Sequence, residues 1–223
     1  MIRKNLKAIL MKLGFFTKIN WKKRVKKYGV YAAHDSRTPL SKIEEVTAEQ
    51  NAIYSKVLLD LAFNNNEPLK ILDFGAGYGR HFNLLSTFNE GVTNQVDFLD
   101  KTIEFHSLAL GKGYHEMYAE ITDLNCEVYD IVFIHMVFGG LSDQEVQIIC
   151  KKLKKATKAG GFLFIIETMS DNNPIYNRVW KKREKSFYKT ILEDYFSVLE
   201  AGSVHEAGDK IVMLLAEKRT FYE

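Results

Sequence analysis

The sequence predicts an α/β fold: a doubly wound, mostly parallel seven-stranded sheet with a C-terminal antiparallel hairpin, preceded by N-terminal helices. Three observations carry this. Five short apolar runs alternate with segments of helical length, a glycine-rich turn follows the first run, and two strand-like runs joined by a polar turn close the chain. The 223 residues, 46% hydrophobic and 26% charged, are enough for one globular domain with a full core and a small N-terminal addition. We read residues 1–45 as a basic segment and lid, and residues 46–223 as the domain itself.

Residues 1–28 hold ten Lys or Arg and no acid, so the other 195 residues set 21 basic side chains against all 28 acids. In "MIRKNLKAILMKLGFF" the residues Ile2, Leu6, Ile9, Leu10 and Leu13 make one narrow stripe, with Arg3, Lys4 and Lys7 turned away from it. This basic amphipathic helix, over residues 2–16, has three possible partners: an anionic membrane surface, a nucleic acid, or its own domain. Its Lys-rich, Ser-poor composition does not suit a mitochondrial transit peptide.

The next helix is expected over "TAEQNAIYSKVLLDLAF", opened by a capping box from Thr47 to Gln50, with Ile53, Val57, Leu58 and Leu61 inward. "NNNEP" breaks it. Strands are then expected at "KILDFG", "TNQVDF", "YHEMYA", "YDIVFIHM" and "GGFLFIIE", and a helix at "SDQEVQIICKKLKKATKAG" that Gly160 and Gly161 terminate. Strands so spaced require right-handed crossovers and a parallel sheet. The final hairpin spans runs around Ser197 to Ala201 and Lys210 to Ala216.

Cys126 and Cys150 match no disulfide or metal-ligand spacing and suit a reducing cytosol, so no metal and a cytoplasmic location are expected, with a peripheral contact at the inner membrane face as the basic helix's option. No run approaches the ~20 apolar residues of a membrane span, and no secretory signal is read.

The stretch "LKILDFGAGYGRHFNLL" carries the chemistry. Gly75, Gly77 and Gly79 follow the first strand at the carboxyl edge of the sheet, where such folds bind ligands against the main chain. The dinucleotide spacing G-x-G-x-x-G is not matched by G-A-G-Y-G-R, and the G-K-[ST] of a phosphate loop is absent. Asp73 is placed to meet a ligand ammonium. Asp97, 24 residues later, is read as the acid at the tip of the second strand that accepts from both hydroxyls of a ribose. An amino-acid head, a ribose and an adenine together describe S-adenosylmethionine.

From about residue 50 to 218 the chain resembles the class I S-adenosylmethionine-dependent methyltransferases, with four motifs in order. "ILDFGAGYGRH" resembles the first motif, "VDFLD" the second, "YDIVFIHMVFGGLSD" the strand and loop beside the reacting methyl, and "KAGGFLFIIE" the fifth strand. The resemblance implies that Gly75, Ala76 and Gly77 lie under the methionine part, Asp73 holds its amino group, Asp97 takes the ribose and Phe98 lies against the adenine. The third motif falls at Ala119 and Glu120, the register we prefer, or at Asp123.

Methyl transfer is an in-line displacement that needs alignment and exclusion of water, and a base only when the acceptor is a hydroxyl or protonated amine. His135, ending the fourth strand, is the candidate base; a hydrogen-bonded edge residue is the competing reading. His34 and Asp35, with Tyr28 and Tyr31, belong to the segment that relatives use as a lid. Arg80 binds the cofactor carboxylate or makes a surface pair, His81 points into helix contacts, and His205 falls in the hairpin turn. The long connection "TMSDNNPIYNRVWKKREKSFYKT" is a candidate acceptor cap, with Tyr176, Arg178 and Trp180 as substrate residues beside Lys181 and Arg183.

The motif [DN]-P-P-[YF] of amino-methylating DNA enzymes is missing. Resemblance to protein N-terminal methyltransferases stops where their histidine falls at Gly140 and their Asp-Asn at Glu167 and Thr168. The expected activity is O-methylation of a small-molecule or glycan hydroxyl of surface-polysaccharide type. An RNA or protein methyltransferase, or a non-catalytic cofactor-binding module, is the alternative; the acidic body weighs against nucleic acid. A nicotinamide dehydrogenase is a distant third.

Overall fold

The computed structural model describes residues 19–35, 37–61, 67–89, 91–171, 175–176 and 179–219. The amphipathic stretch expected over residues 2–16 lies outside them, as do Arg178 and the side chain of Tyr176.

Helix α1 (Trp21–Tyr28) leads through a 3-10 turn (Gly29–Ala33) to α2 (Ile43–Leu61). Then come β1 (Lys70–Phe74), α3 (Phe82–Thr87), β2 (Gln95–Leu99), α4 (Ile103–Ala109), β3 (Met117–Tyr118), β4 (Tyr129–His135) and α5 (Asp143–Ala156). The chain ends with β5 (Thr157–Ser170), β6 (Ile175–Tyr176), β7 (Lys181–Glu184), α6 (Lys185–Leu192), β8 (Phe196–Glu206) and β9 (Asp209–Lys218).

The seven expected strands form one sheet in the order β3-β2-β1-β4-β5-β9-β8, parallel from β3 to β5 and antiparallel in the closing hairpin. The count differs from expectation: the sheet has nine strands. Past the end of β9, the last two residues of β5 pair with β7, which carries β6 antiparallel to it. Both extra strands come from the connection read as a cap, whose Lys- and Arg-rich sequence gave no strand signal.

Side chains alternate strictly across the sheet. Ile71, Ile131, Phe133, Phe164, Ile166 and Met213 face Tyr54 and Leu58 of α2 and Leu84 and Leu85 of α3. Leu72, Val132, Ile134, Leu163, Ile165 and Leu214 face Val146, Cys150 and Leu153 of α5 and Tyr188 of α6. Both faces are covered, which is why these strands read as unbroken apolar runs.

Three local expectations are corrected. Helix α2 starts at Ile43, so Thr47 lies inside it with its hydroxyl donating to the Ile43 carbonyl at 2.7 Å, and no capping box forms there. Its buried face is Gln50, Tyr54 and Leu58, leaving Ile53 exposed. A capping box forms instead between Ser142 and Glu145 at the start of α5. That helix stops at Ala156, where the Thr157 hydroxyl donates to the Leu153 carbonyl at 2.7 Å, so Gly160 and Gly161 belong to β5. His205 lies in β8 opposite Lys210, and the hairpin turns at Ala207 and Gly208.

The cap is tied to the sheet by Trp180, whose indole Nε1 donates to Thr168 Oγ1 at 3.0 Å and whose ring lies on Gly139 so closely that a Cβ there would stand 2.1 Å from it. Gly139→Ala should therefore cost about 1–3 kcal/mol of stability in urea unfolding. In a Trp21→Phe background the remaining Trp180 emission should shift to the red as the ring is expelled. Unchanged stability and emission would contradict this packing.

Candidate active site

The turn after β1 is stitched to the end of β2. Gly75 N and Ala76 N both donate to the Leu99 carbonyl, at 2.7 and 3.2 Å, and Gly77 N donates to Asp100 Oδ2 at 3.0 Å. Gly75, Gly77 and Gly79 have φ of 72°, 59° and 75°, a left-handed path that excludes side chains. At Gly75 a Cβ would also stand 2.4 Å from Val137 of the loop after β4.

This turn borders a cavity of about 470 Å³, within the usual range for small-ligand sites. Asp73, Gly75, Ala76, Gly77, Ala119, Glu120 and His135, seven of the expected cofactor residues, all line it. Asp73 is 3% exposed and accepts from the Tyr114 hydroxyl at 2.7 Å. Burial pushes its carboxyl up to about 7, against that hydrogen bond, and Asp100 adds to the rise.

Asp97 and Phe98 do not reach the cavity. Asp97 lies inside β2, fully buried, where it accepts from the Tyr129 hydroxyl at 2.9 Å and pairs with Lys70 Nζ at 3.5 Å and His115 Nδ1 at 3.2 Å. Phe98 packs edge-on against Tyr114 and His106. The acid at the strand tip is Asp100, which lines the cavity. It accepts from Gly77 N and, at 2.7 Å, from Thr102 N, while burial raises its pKa. The sequence "VDFLD" contains both acids; the strand simply runs to Leu99.

Behind the glycine turn sits a histidine pair. The rings of His81 and His135 are 4.5 Å apart. His135 Nε2 shares a hydrogen bond with the Tyr54 hydroxyl at 3.2 Å. His81 Nδ1 lies 2.7 Å from Asn51 Oδ1, an oxygen that only accepts, so Nε2 is left as a bare lone pair, buried and without a partner. Burial holds both imidazoles well below their ordinary pKa, and the Arg80 charge acts in the same direction. Both are neutral at physiological pH. Among the described residues Arg80 makes no surface pair: Nη2 donates to Gln50 Oε1 at 2.5 Å, Nη1 is 3.5 Å from His34 Nδ1, and Nε is buried without a partner.

A second cavity, of about 480 Å³, meets the first at Ile19, Trp21, Ala33, Arg80 and Met136. Met136 sits at the junction with φ 55°, its amide donating to the Ile166 carbonyl at 2.8 Å; such a backbone at a non-glycine residue marks a site held by its surroundings. His34 lines this second cavity, its Nε2 2.9 Å from the Tyr78 hydroxyl, and burial, helped by Arg80, pushes its pKa down to about 4. Trp180 lines it too. Arg24 fastens the overlying 3-10 turn through the carbonyls of Ala32 and His34, at 2.6 and 2.9 Å.

The loop between β4 and α5 is held from both sides, a feature sequence reading missed. The fully buried Glu167 accepts from Phe138 N at 2.5 Å, and burial pushes its carboxyl up to about 7 against bonds from the Phe138, Val137 and Gly139 amides. From the cap, Arg183 donates to the carbonyls of Phe138 and Leu141, at 2.7 and 2.6 Å, and to Asp143 at 2.8 Å.

The first cavity fits the implied cofactor. A zwitterionic amino-acid head needs a donor for its carboxylate and acceptors for its ammonium. Arg80, His81 and Asp73 line the cavity and carry a donor and acceptors of these kinds, with Arg80 Nε and His81 Nε2 unpartnered in the protein, and Asp100 adds a second carboxylate. Among the described residues no group of three or more His, Cys, Asp or Glu is arranged to hold a metal.

Comparison with known proteins agrees with this geometry. The family model described as tellurite resistance protein TehB matches residues 45–207. A phosphoethanolamine N-methyltransferase 3 of Arabidopsis thaliana is 31% identical over 150 residues, 63% of this chain and 30% of that protein. The "probable S-adenosyl-L-methionine-dependent methyltransferase TehB" of Haemophilus influenzae is 29% identical over 162 residues, 67% of this chain and 56% of that one. The chain thus spans only about a third to a half of the length of these relatives. Among solved structures, a magnesium protoporphyrin IX methyltransferase of Synechocystis with bound S-adenosylhomocysteine has a TM-score of 0.65 at 16% identity, over 98% of this chain and 100% of that one. A 1,6-didemethyltoxoflavin-N1-methyltransferase of Burkholderia thailandensis has 0.63 at 18%, over 89% and 88%. The chain belongs to the TehB family and has the fold of the class I S-adenosylmethionine-dependent methyltransferases.

Proposed function

We propose that the chain binds S-adenosylmethionine in the first cavity and methylates a small polar acceptor held in the second, with a sugar- or glycan-type hydroxyl as the acceptor group. The observation that carries this is the meeting of two cavities of similar size at Met136 and Arg80.

When bound, the cofactor supplies an electrophilic methyl on a sulfonium sulfur. In this reading Asp73 and His81 would hold the ammonium, Arg80 would face the carboxylate, and Asp100 would accept from the ribose hydroxyls with the lone pairs that Gly77 and Thr102 leave open. The 3-10 turn over the cavities, with Ala33 3.3 Å from where a Gly77 Cβ would stand, excludes water. The acceptor is aligned by the walls of the second cavity, where His34 and Trp180 lie, and approaches past Met136. A hydroxyl must lose its proton, and we assign His135, at the end of β4 in the cofactor cavity and held by Tyr54, as the acceptor; burial keeps the imidazole neutral and also weakens it as a base. The names of the relatives raise other candidates: one is a phosphoethanolamine N-methyltransferase, and the family is described by tellurite resistance.

Incubation with labelled methyl donor and a panel of sugar nucleotides and glycan termini, beside phosphoethanolamine and tellurite, tests the acceptor. Label on a sugar hydroxyl is expected; label confined to phosphoethanolamine or tellurite would overturn the hydroxyl reading.

Asp100→Ala should weaken S-adenosylhomocysteine binding by about 1.5–3 kcal/mol. Asp97→Asn should leave affinity unchanged and lower the melting temperature, because Asp97 serves Tyr129 and Lys70 in the core. The reverse pattern in calorimetry and thermal melting would restore Asp97 to the ribose.

The Asp73 carboxyl, raised to about 7, should give binding a pH signature. Below pH 7 the free protein holds a proton there that an incoming ammonium displaces, so affinity falls as pH drops and binding releases protons. Above about pH 8 the carboxylate is already formed and no proton is released. Binding enthalpies near pH 6 that do not depend on the buffer's ionisation enthalpy would refute the contact.

His135→Phe should lower turnover of a hydroxyl acceptor by about 10²–10⁴-fold, with S-adenosylhomocysteine affinity changed far less. Parallel losses in both would reduce His135 to a wall of the cofactor cavity.

A further inference from the structure

We infer that the outer face of α1 is a docking surface for an anionic lipid bilayer. Helix α1 is two-faced. Val25 is buried, Trp21 packs on Phe105 of α4 at 6.0 Å, and Arg24 turns in to the carbonyls of Ala32 and His34. Lys22, Lys23, Lys26 and Lys27 are exposed on the other face. Lys22 lies 3.7 Å from Glu104 with its own side chain 81% exposed, and among the described residues the other three lysines form no ion pair.

The surroundings favour lipid over nucleic acid. Beside the lysines, Tyr28 and Tyr31 are 47% and 43% exposed, with Lys27 Nζ 4.8 Å above the Tyr28 ring. Amphipathic rings next to lysines suit the headgroup layer. No acid occurs before Asp35, and the sequence just ahead of α1 continues the positive charge, interspersed with Ile2, Leu6, Ile9, Leu10 and Leu13. Apolar side chains among lysines gain from hydrocarbon and gain nothing from a phosphodiester backbone. The remainder of the chain is acidic in balance, so an anionic surface attracts this end alone and fixes the orientation. No helix among the described residues is long and apolar enough to cross a bilayer.

The helix that carries the lysines on its outer face also lines the cavities with its inner one, through Trp21 in both and Arg24 in the second, so docking would hold the site close to the bilayer.

The test is co-sedimentation of the full chain with vesicles containing phosphatidylglycerol and with vesicles of phosphatidylcholine alone. Binding to the first and not the second is expected, weakening as salt is raised. Each lysine near the surface is worth roughly five-fold in partitioning. The Lys22→Gln, Lys23→Gln, Lys26→Gln, Lys27→Gln variant should therefore lose roughly a hundred-fold or more. Lys26→Gln with Lys27→Gln, a milder change that guards against misfolding, should lose roughly twenty-fold; an unshifted melting temperature would show that each variant is folded. Wild type that ignores the anionic vesicles, variants that partition like wild type, or RNA binding without vesicle binding would each overturn the proposal.

Discussion

The hydrogen bonds that sew the glycine turn to the end of β2 are the constraint from which the rest of the site follows. Gly75 N, Ala76 N and Gly77 N all point at Leu99 and Asp100, and at Gly75 a side chain would run into Val137. The left-handed path of the glycines makes that geometry possible, and the parallel register of β1 with β2 brings the two ends level. The result is a trough with Asp73 at one end, Asp100 beside the turn, and bare backbone between them.

A second set of contacts couples this trough to the acceptor side. The loop after β4 carries Val137 against Gly75, and it is pinned from below by Glu167 and from above by Arg183 and Trp180. A buried acid and a buried guanidinium are costly apart, and here each binds main-chain groups of the same loop. Moving the cap would therefore move the loop that closes the glycine turn. Met136, strained between the two cavities, lies where these constraints meet.

Much of this was legible in the sequence. The alternation of apolar runs placed the central sheet, and the spacing Gly75, Gly77, Gly79 after Asp73 located the cofactor cavity. What failed was register at element ends. Asp97 and Asp100 stand three residues apart, and composition does not say whether the strand stops before or after Leu99. Thr47 resembles a cap because a hydroxyl back-bonding inside a helix and one starting a helix look alike in a string of letters. Strands β6 and β7 were invisible because they are held by Arg183 reaching the carbonyls of Phe138 and Leu141 and by Trp180 reaching the Thr168 hydroxyl, not by local pattern. The lone pair of His81 and the orphaned Nε of Arg80 emerge only when α2 and α3 are packed together. Asn51, which fixes the His81 tautomer, lies 30 residues away.

The most direct test is calorimetric titration of the wild-type chain with S-adenosylmethionine and S-adenosylhomocysteine, with NAD as control. One-to-one binding of both sulfur ligands and no heat from NAD is the result this structure requires. Binding of NAD in their place would contradict the assignment of the trough between Asp73 and Asp100, and so would silence from all three.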